Sequence, residues 1–459
     1  MFFRRHRPPN SKTGIIPLIF HASIPGWSIL TTKSDTVEKY QRFVITSFVK
    51  RVEPVALVEG RGATLKDSNG KEYVDAFSGI SVVNSGHCNP AVLQAAKLQM
   101  EKLVHACGYV YYLQPVADLA EKLAHLLGHG LEKTFFGNSG AEAIECGLKL
   151  AKKFTKKHEI VALMGSFHGR TVGTLSITGQ AGRRGYGMGP YMSGVSFSPM
   201  PYCYRCPLGL EYPSCEIRCA KMLEDVVSYS TSGNVAGFVA EPVMGEGGII
   251  VPPPEYFTEI KKILDAHEIL YIADEVQSGF CRTGKMFGFE HYNVTPDIVC
   301  MAKAIADGFP LGACTTRPEI GDSFEAGDHL STFGGNPVSC AAAMANIDYM
   351  LKEQLAEKSS KEGEYAMKRF KEIAEKREIV GEVRGKGLMI GIELVKDRKS
   401  KTPAAQEAAR IRDLCREKSV LIGHGGLKGS VLRIQPPLVI NRDQLDKVIE
   451  AVDTSLAEV

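Results

Sequence analysis

Charge of either sign nearly cancels in this chain: 55 Lys and Arg against 52 Asp and Glu leave a net +3 over 459 residues. So small an excess gives no argument for nucleic acid, and no basic run with interleaved aromatics appears. Internal repeats and low-complexity tracts are also missing, which excludes solenoids and compositionally biased disorder. Near the start, the apolar patch 15–20 is short, is broken by Pro17, and ends at His21. No small-x-small cleavage site follows it, which argues against export.

What is present describes an ordinary globular protein without membrane spans: 44% hydrophobic and 23% charged residues. A mass of 50.0 kDa exceeds what one core usually supports, so two domains are expected. Residues 1–36 differ in character, with Arg4, Arg5 and Arg7 ahead of the apolar patch and Pro8, Pro9, Pro17 and Pro25 scattered through. They are expected to be either a targeting leader or translation upstream of the true start, and stand outside the fold argument.

Of the twelve cysteines, eight are dispersed, the pattern of core thiols in a reducing compartment, which points to the cytoplasm. The other four, Cys203, Cys206, Cys215 and Cys219, are spaced either for a structural metal, for one or two disulfides, or as plain thiols in a surface excursion.

Along the chain, the polar turn Asp67-Ser68-Asn69-Gly70 between two short alternating segments predicts a hairpin. From there to about residue 340, apolar strand patterns at 159–164, 235–240, 269–273 and 298–301 alternate with helical ones. Strands apolar on both faces that alternate with helices imply a mainly parallel sheet covered on both sides. After residue 340 come long helices, strands at 389–394 and 431–434, and a terminal helix from Arg442, a separate α+β rhythm. The expected organisation is therefore α/β. Residues 37–95 and 340–459 contribute a smaller α+β domain and 96–339 a large cofactor domain.

Ligands of such sheets sit at the carboxyl ends of the strands, where several suggestive residues fall. Asp274 closes one apolar strand and Lys303 follows another. A lysine in an apolar setting loses its proton readily and can condense with an aldehyde, while a buried aspartate can keep a ring nitrogen protonated. These are the two groups that pyridoxal phosphate (PLP) demands of an enzyme. The ordinary alternative is a capping carboxylate and a solvated lysine. Ser139, Gly140 and Ala141 at a helix start form either a phosphate cradle or an N-cap turn. Phe167 and His168 lie beside Gly169 and Arg170; the aromatic can stack on a flat ring and Arg170 can grip a carboxylate, or both are structural. Glu246 lies in a glycine-rich loop and either pairs reversibly with an arginine or is simply solvated. Thr332 is a second candidate phosphate contact. Arg433 stands inside an apolar strand and requires an anionic partner, either a substrate carboxylate or a protein one.

In order and spacing these motifs resemble the class III aminotransferases, a fold-type-I PLP family, from about residue 50 to about residue 450. The resemblance rests on Asn138 to Ala143, Phe167 to Thr171, the Glu246 loop, Ala273 to Gly279, Lys303, Thr332, and Arg433 with Pro436 and Pro437. It implies a PLP-dependent aminotransferase that moves an amino group from an amino acid, of ω-amino or alanine type, to a 2-oxo acid by a ping-pong mechanism. By the same resemblance Lys303 forms the internal aldimine and shuttles a proton, Asp274 pairs with the ring nitrogen, Gln277 lies by the ring hydroxyl and Phe167 stacks on the ring. Gly140 and Ala141 hold the phosphate, with Thr332 reaching it from the second subunit of a homodimer. Arg433 takes the α-carboxylate, Arg170 a distal one, and Glu246 masks Arg433 when an ω-amino donor enters. Ala304 stands where many relatives have glycine, which keeps a small residue beside the lysine. The cysteine-bearing excursion is more like the alanine–glyoxylate branch than the shorter acetylornithine one. A racemase or aminomutase of the same family is the alternative, and a PLP- or metal-binding protein without turnover is the alternative of another class.

Overall fold

The computed structural model describes residues 33–47, 52–185 and 187–459. Residues 1–32, with the arginines and apolar patch of the expected leader, lie outside the described residues. The chain falls into two compact units that meet between Leu57 and Val58. In the first, the described structure is the helix Lys33–Phe43, with Asp35 in its first turn and Arg42 in its last, each suited to the dipole end it occupies.

β1 (Leu57–Arg61) starts at the last residue of the first unit, and β2 (Thr64–Asp67) and β3 (Glu72–Asp75) follow in the second. The predicted hairpin is β2–β3, antiparallel. Its turn is held by Asp67, whose Oδ1 accepts from the N–H groups of Asn69 (2.9 Å) and Lys71 (3.0 Å), and Gly70 supplies the positive φ of +80°.

Seven strands make the main sheet: β4 (Lys133–Gly137), β5 (Glu159–Leu163), β6 (Val195–Ser198), β7 (Val235–Ala240), β8 (Leu270–Asp274), β9 (Ile298–Met301) and β10 (Gly312–Thr316). Their order is β4-β10-β9-β8-β7-β5-β6. From β9 through β6 every pairing is parallel, whereas β10 runs antiparallel to both its neighbours. β4 therefore points the same way as β9, and six of the seven carboxyl ends share one edge. Every residue of β7, β8 and β9 is buried, the reason those segments read as unbroken apolar runs rather than alternating ones. The helix Gly140–Thr155 covers one face through Ile144, Leu148 and Ala151. Gly147 lets it approach closely: a Cβ there would lie 3.0 Å from Cys300 Sγ and 3.3 Å from Ile272 Cγ2. Each fully buried Ile or Leu on that face contributes roughly 1.5–3 kcal/mol.

The last third contains β11 (Val380–Lys386), β12 (Met389–Leu394), β13 (Val420–Leu421), β14 (Gly423–Gly425) and β15 (Val431–Ile434). An antiparallel sheet runs β11-β12-β15-β14, while β13 pairs in parallel with β3 and completes the first sheet. Residues of the chain's beginning and end thus share one core, with Val74 and Ala76 in the same apolar cluster as Leu432, Ile434 and Val448. Among the described residues no helix is long and apolar enough to cross a membrane.

The four clustered cysteines form neither of the bonded arrangements their spacing allows. All twelve cysteines are unpaired, and among the described residues no group of three or more His, Cys, Asp or Glu side chains is disposed to hold a metal. Cys203 is exposed while Cys219 is buried in the helix Arg218–Ser230, so the four thiols are spread from surface to interior around a small apolar hollow.

Candidate active site

The shared strand edge is also the wall of a cavity of about 410 Å³. Five of the six strands that point there deliver a residue to it: Ser139, Gly140 and Ala141 after β4, Phe167 and His168 after β5, Glu241 after β7, Asp274 on β8 and Lys303 after β9. Parallel strands make this convergence automatic, because their ends open on the same side.

At the helix start, Ser139 is both things its sequence allowed. It is the N-cap, with Oγ accepting from the Glu142 N–H at 3.2 Å, and it lines the cavity with the next two residues. Glu142 also accepts from the N–H of Asn138, tying the residue before the cap to the first turn. The first N–H groups of a helix have no partner inside it, so this wall presents donors and the positive end of a 16-residue helix to the cavity. Gly140 is required by packing, since a Cβ there would lie 2.7 Å from Val276 Cγ1.

Asp274 is buried and both its carboxylate oxygens are engaged. Oδ2 lies 2.7 Å from Nδ1 of the equally buried His168, and Oδ1 accepts from the Val276 N–H at 3.0 Å. His168 Nε2 is buried with no hydrogen-bond partner among the described residues. Glu241, on the other side, accepts from the N–H groups of Phe167 (3.0 Å) and Gly245 (2.8 Å). Burial pushes its carboxyl up to about 7; His168 opposes that rise and Asp274 adds to it.

Lys303 opens a short 3-10 turn with φ +50°, a left-handed conformation that costs a non-glycine residue about 1–2 kcal/mol and is tolerated where the surroundings dictate it. Its burial lowers the ammonium pKa. Arg433 reinforces the depression, and the anions Glu246, Asp274 and Glu241 oppose it. The result is an amine poised to lose its proton inside the cavity.

Glu246 stands at the tip of a turn closed by reciprocal backbone bonds between Met244 and Ile250, both 3.0 Å. Its Oε1 is 2.7 Å from Arg433 Nη1, and both side chains are buried. Its Oε2 is 3.6 Å from Arg183 Nη2. Burial alone would raise the Glu246 pKa, but Arg433, Lys303 and Arg183 together bring it below the usual carboxylate value. The anionic partner that Arg433 requires is thus a protein carboxylate in this structure. Gln277 adds a second acceptor, its Oε1 taking bonds from Arg433 Nη2 (3.2 Å) and Gln435 Nε2 (3.1 Å).

Two predicted residues lie differently. Arg170 is exposed at the rim of the cavity with its guanidinium 5.4 Å from the centre of the Phe167 ring. Thr332 is exposed and does not line the cavity of its own chain. Glu241, Val276, Arg183 and Gln435 were not singled out in the sequence. Only Glu241 carried a usable signal, a carboxylate closing an apolar strand just as Asp274 does; the others become visible when distant segments meet.

These residues fit pyridoxal phosphate. The helix start with its small side chains suits a phosphate, an anchored carboxylate suits a ring nitrogen, and a buried amine of lowered pKa suits an aldehyde. The unpartnered Nε2 of His168 marks a polar spot with bonding capacity left over.

Comparison with known proteins agrees. The family described as Aminotransferase class-III matches residues 47–456. The alanine–glyoxylate aminotransferase 2 homolog 2, mitochondrial, of Arabidopsis thaliana is 42% identical over 406 residues, covering 88% of this chain and 83% of that protein. A leucine/methionine racemase of Thermococcus litoralis is 39% identical over 429 residues, 93% of this chain and 96% of that protein. Among solved structures, an amine transaminase from an uncultivated Pseudomonas species in its PLP-bound form superposes with a TM-score of 0.86 at 30% identity, covering 91% of this chain and 98% of that one. With a family match across most of its length and a cavity furnished for the cofactor, this chain belongs to the class III aminotransferases, PLP-dependent enzymes of fold type I.

Proposed function

We propose that this aminotransferase takes its amino group from an ω-amino or alanine-type donor and delivers it to a 2-oxo acid in two half-reactions through one site. The observation that carries this is the closed Glu246–Arg433 pair at 2.7 Å, in the turn that brings Glu246 to the cavity of Lys303 and Asp274. A cation neutralised by a protein carboxylate admits a donor whose reacting amine lies far from any carboxylate. The same cation, once uncovered, binds the α-carboxylate of an oxo acid.

PLP, when bound, supplies an electron sink for the charge left on the substrate carbon as its proton departs. Ser139, Gly140 and Ala141 would hold the phosphate end, and Phe167 would cover the ring. Asp274, braced by His168 and the Val276 N–H, holds a proton on the ring nitrogen. Gln277 would lie by the ring hydroxyl. Lys303 is the attachment amine and afterwards carries the proton away from the substrate α-carbon on Nζ. Its burial lowers the ammonium pKa and so favours the neutral amine that can take that proton. Arg433 orients the α-carboxylate and Arg170 a distal one.

The active unit in this proposal is a homodimer in which Thr332 reaches the phosphate of the neighbouring subunit. Support comes from the exposure of Thr332 with its chain neighbours Leu330 and Phe333, and of the apolar stretch Val110, Tyr111 and Tyr112, large side chains that water alone does not favour. Residues 96–339 act as the cofactor domain, and 37–95 with 340–459 as the smaller one, supported by the β3–β13 pairing. A cytoplasmic setting is supported by twelve unpaired cysteines.

The test is the absorption spectrum of the PLP-loaded protein with single amino donors and no acceptor. One donor class should bleach the long-wavelength band of the bound cofactor, a 2-oxo acid should restore it, and Lys303→Ala should lack the band. A band that no donor bleaches, with loss of optical activity from a single amino acid, would instead support the racemase alternative.

A further inference from the structure

Glu246 is shared between two guanidinium groups. Oε1 is committed to Arg433 at 2.7 Å, whereas Oε2 stands 3.6 Å from Arg183 Nη2, about 0.8 Å beyond a charge-assisted hydrogen bond. Arg183 is held in place for this. Its Nε donates to Gln180 Oε1 at 3.3 Å, Gln180 Nε2 donates to the Gly165 carbonyl at 3.1 Å, and the guanidinium lies 5.9 Å from the centre of the Phe167 ring. Phe167 also carries Arg170, so two cations flank one aromatic at the cavity.

A substrate carboxylate that binds Arg433 must displace Glu246. A buried carboxylate stripped of its partner is costly, so opening the gate requires somewhere for it to go. We infer that Arg183 is that second seat: when a carboxylate occupies Arg433, Glu246 closes onto Arg183. The inference rests on the proposed gating of Arg433 and assigns Arg183 as a specificity-determining residue for carboxylate-bearing substrates. Charge supports it. Two guanidinium groups and one carboxylate leave the trio one positive charge, which an incoming carboxylate neutralises. With that carboxylate on Arg433 and Glu246 on Arg183, each guanidinium of the trio faces one carboxylate, so the gate can sit closed before the ω-amino donor and open before the oxo acid.

Propionate, a carboxylate with neither amino nor oxo group, serves as the probe, with its affinity for the PLP-loaded enzyme measured by calorimetry. Arg183→Gln should weaken binding about tenfold, the worth of one partly buried charge-assisted contact, and Arg183→Lys should retain most of it. Glu246→Gln should tighten binding, because Arg433 is then uncovered. In the Glu246→Gln background, Arg183→Gln should change affinity by less than about threefold, because its partner is gone. An equal loss from Arg183→Gln in both backgrounds, or no loss in either, would overturn the second seat and leave the gate standing. Failure of Glu246→Gln to tighten binding would overturn the gate and the second seat with it.

Discussion

Glu246 and Glu241 are five residues apart, both buried, and pushed in opposite directions by what faces them. Glu246 is kept ionised by Arg433, Lys303 and Arg183, against its burial. With a neutral amide there, Arg433 would confront an ω-amino donor uncovered. Glu246→Gln should therefore slow the ω-amino half-reaction about tenfold or more while sparing the 2-oxo-acid half-reaction, as single-turnover absorbance changes would register. Equal losses in both halves would remove the gate. At Glu241 burial outweighs the relief that His168 gives, and the carboxyl rises to about 7. Its folded pKa exceeds its unfolded one, so between about pH 4.5 and about pH 7 the native state holds a proton the unfolded chain has released. Stability from this group is fully present below that window and lost as pH rises through it. Glu241→Gln should unfold at a lower temperature than the parent at about pH 5, since an amide cannot accept from both Phe167 and Gly245, and the gap should narrow by about pH 8. Thermal midpoints across that range read it directly; a constant gap would contradict the assignment.

The element that matters most is the start of the helix Gly140–Thr155. Ser139 caps it and Gly140 lets it reach the Val276 side chain, so one turn serves folding and binding together. The two roles separate by mutation. Ser139→Ala should cost about 1 kcal/mol of stability through the lost cap. Gly140→Val should instead displace Val276 and weaken PLP affinity by about tenfold or more, measured by titration of the apo-protein. Strands were the most legible elements: 235–240, 298–301, 389–394 and 431–434 coincide with β7, β9, β12 and β15, because fully buried runs bounded by polar turns have few other solutions. Less legible was β10. Its Gly-Ala-Cys-Thr-Thr composition carries no strong period, and its antiparallel course between β4 and β9 is set by pairing. The Glu246 turn is likewise braced from afar, Arg384 donating to the carbonyls of Gly248 and Ile249 and pairing with Glu393 at 2.7 Å. Nothing local to residues 244–250 announces that support.

For the whole molecule, the outstanding expectation is assembly. Exposed Thr332, Phe333 and Tyr112 should be covered by a second copy, so sedimentation should return about twice the 50.0 kDa chain mass. Tyr112→Asp should lower that mass and reduce PLP retention together; dimer loss with full retention would remove Thr332 from the site. The chain's own order of residues determined the sheet class, the place of Asp274 and Lys303 at strand ends, and the family, because each depends on local patterning or on motifs with a fixed sequence of chemical groups. Tertiary structure alone decided that Arg433 meets Glu246 rather than a vacant pocket, that His168 braces Asp274, that Arg183 stands at the gate, and that four suggestively spaced cysteines share no bond. The first three of those facts are distances between segments far apart in the chain, and the fourth depends on how one short stretch is folded against its surroundings. Local propensity carries no information about such distances, which are set when parallel strands end at one edge and the remote β15 brings Arg433 to the turn that bears Glu246.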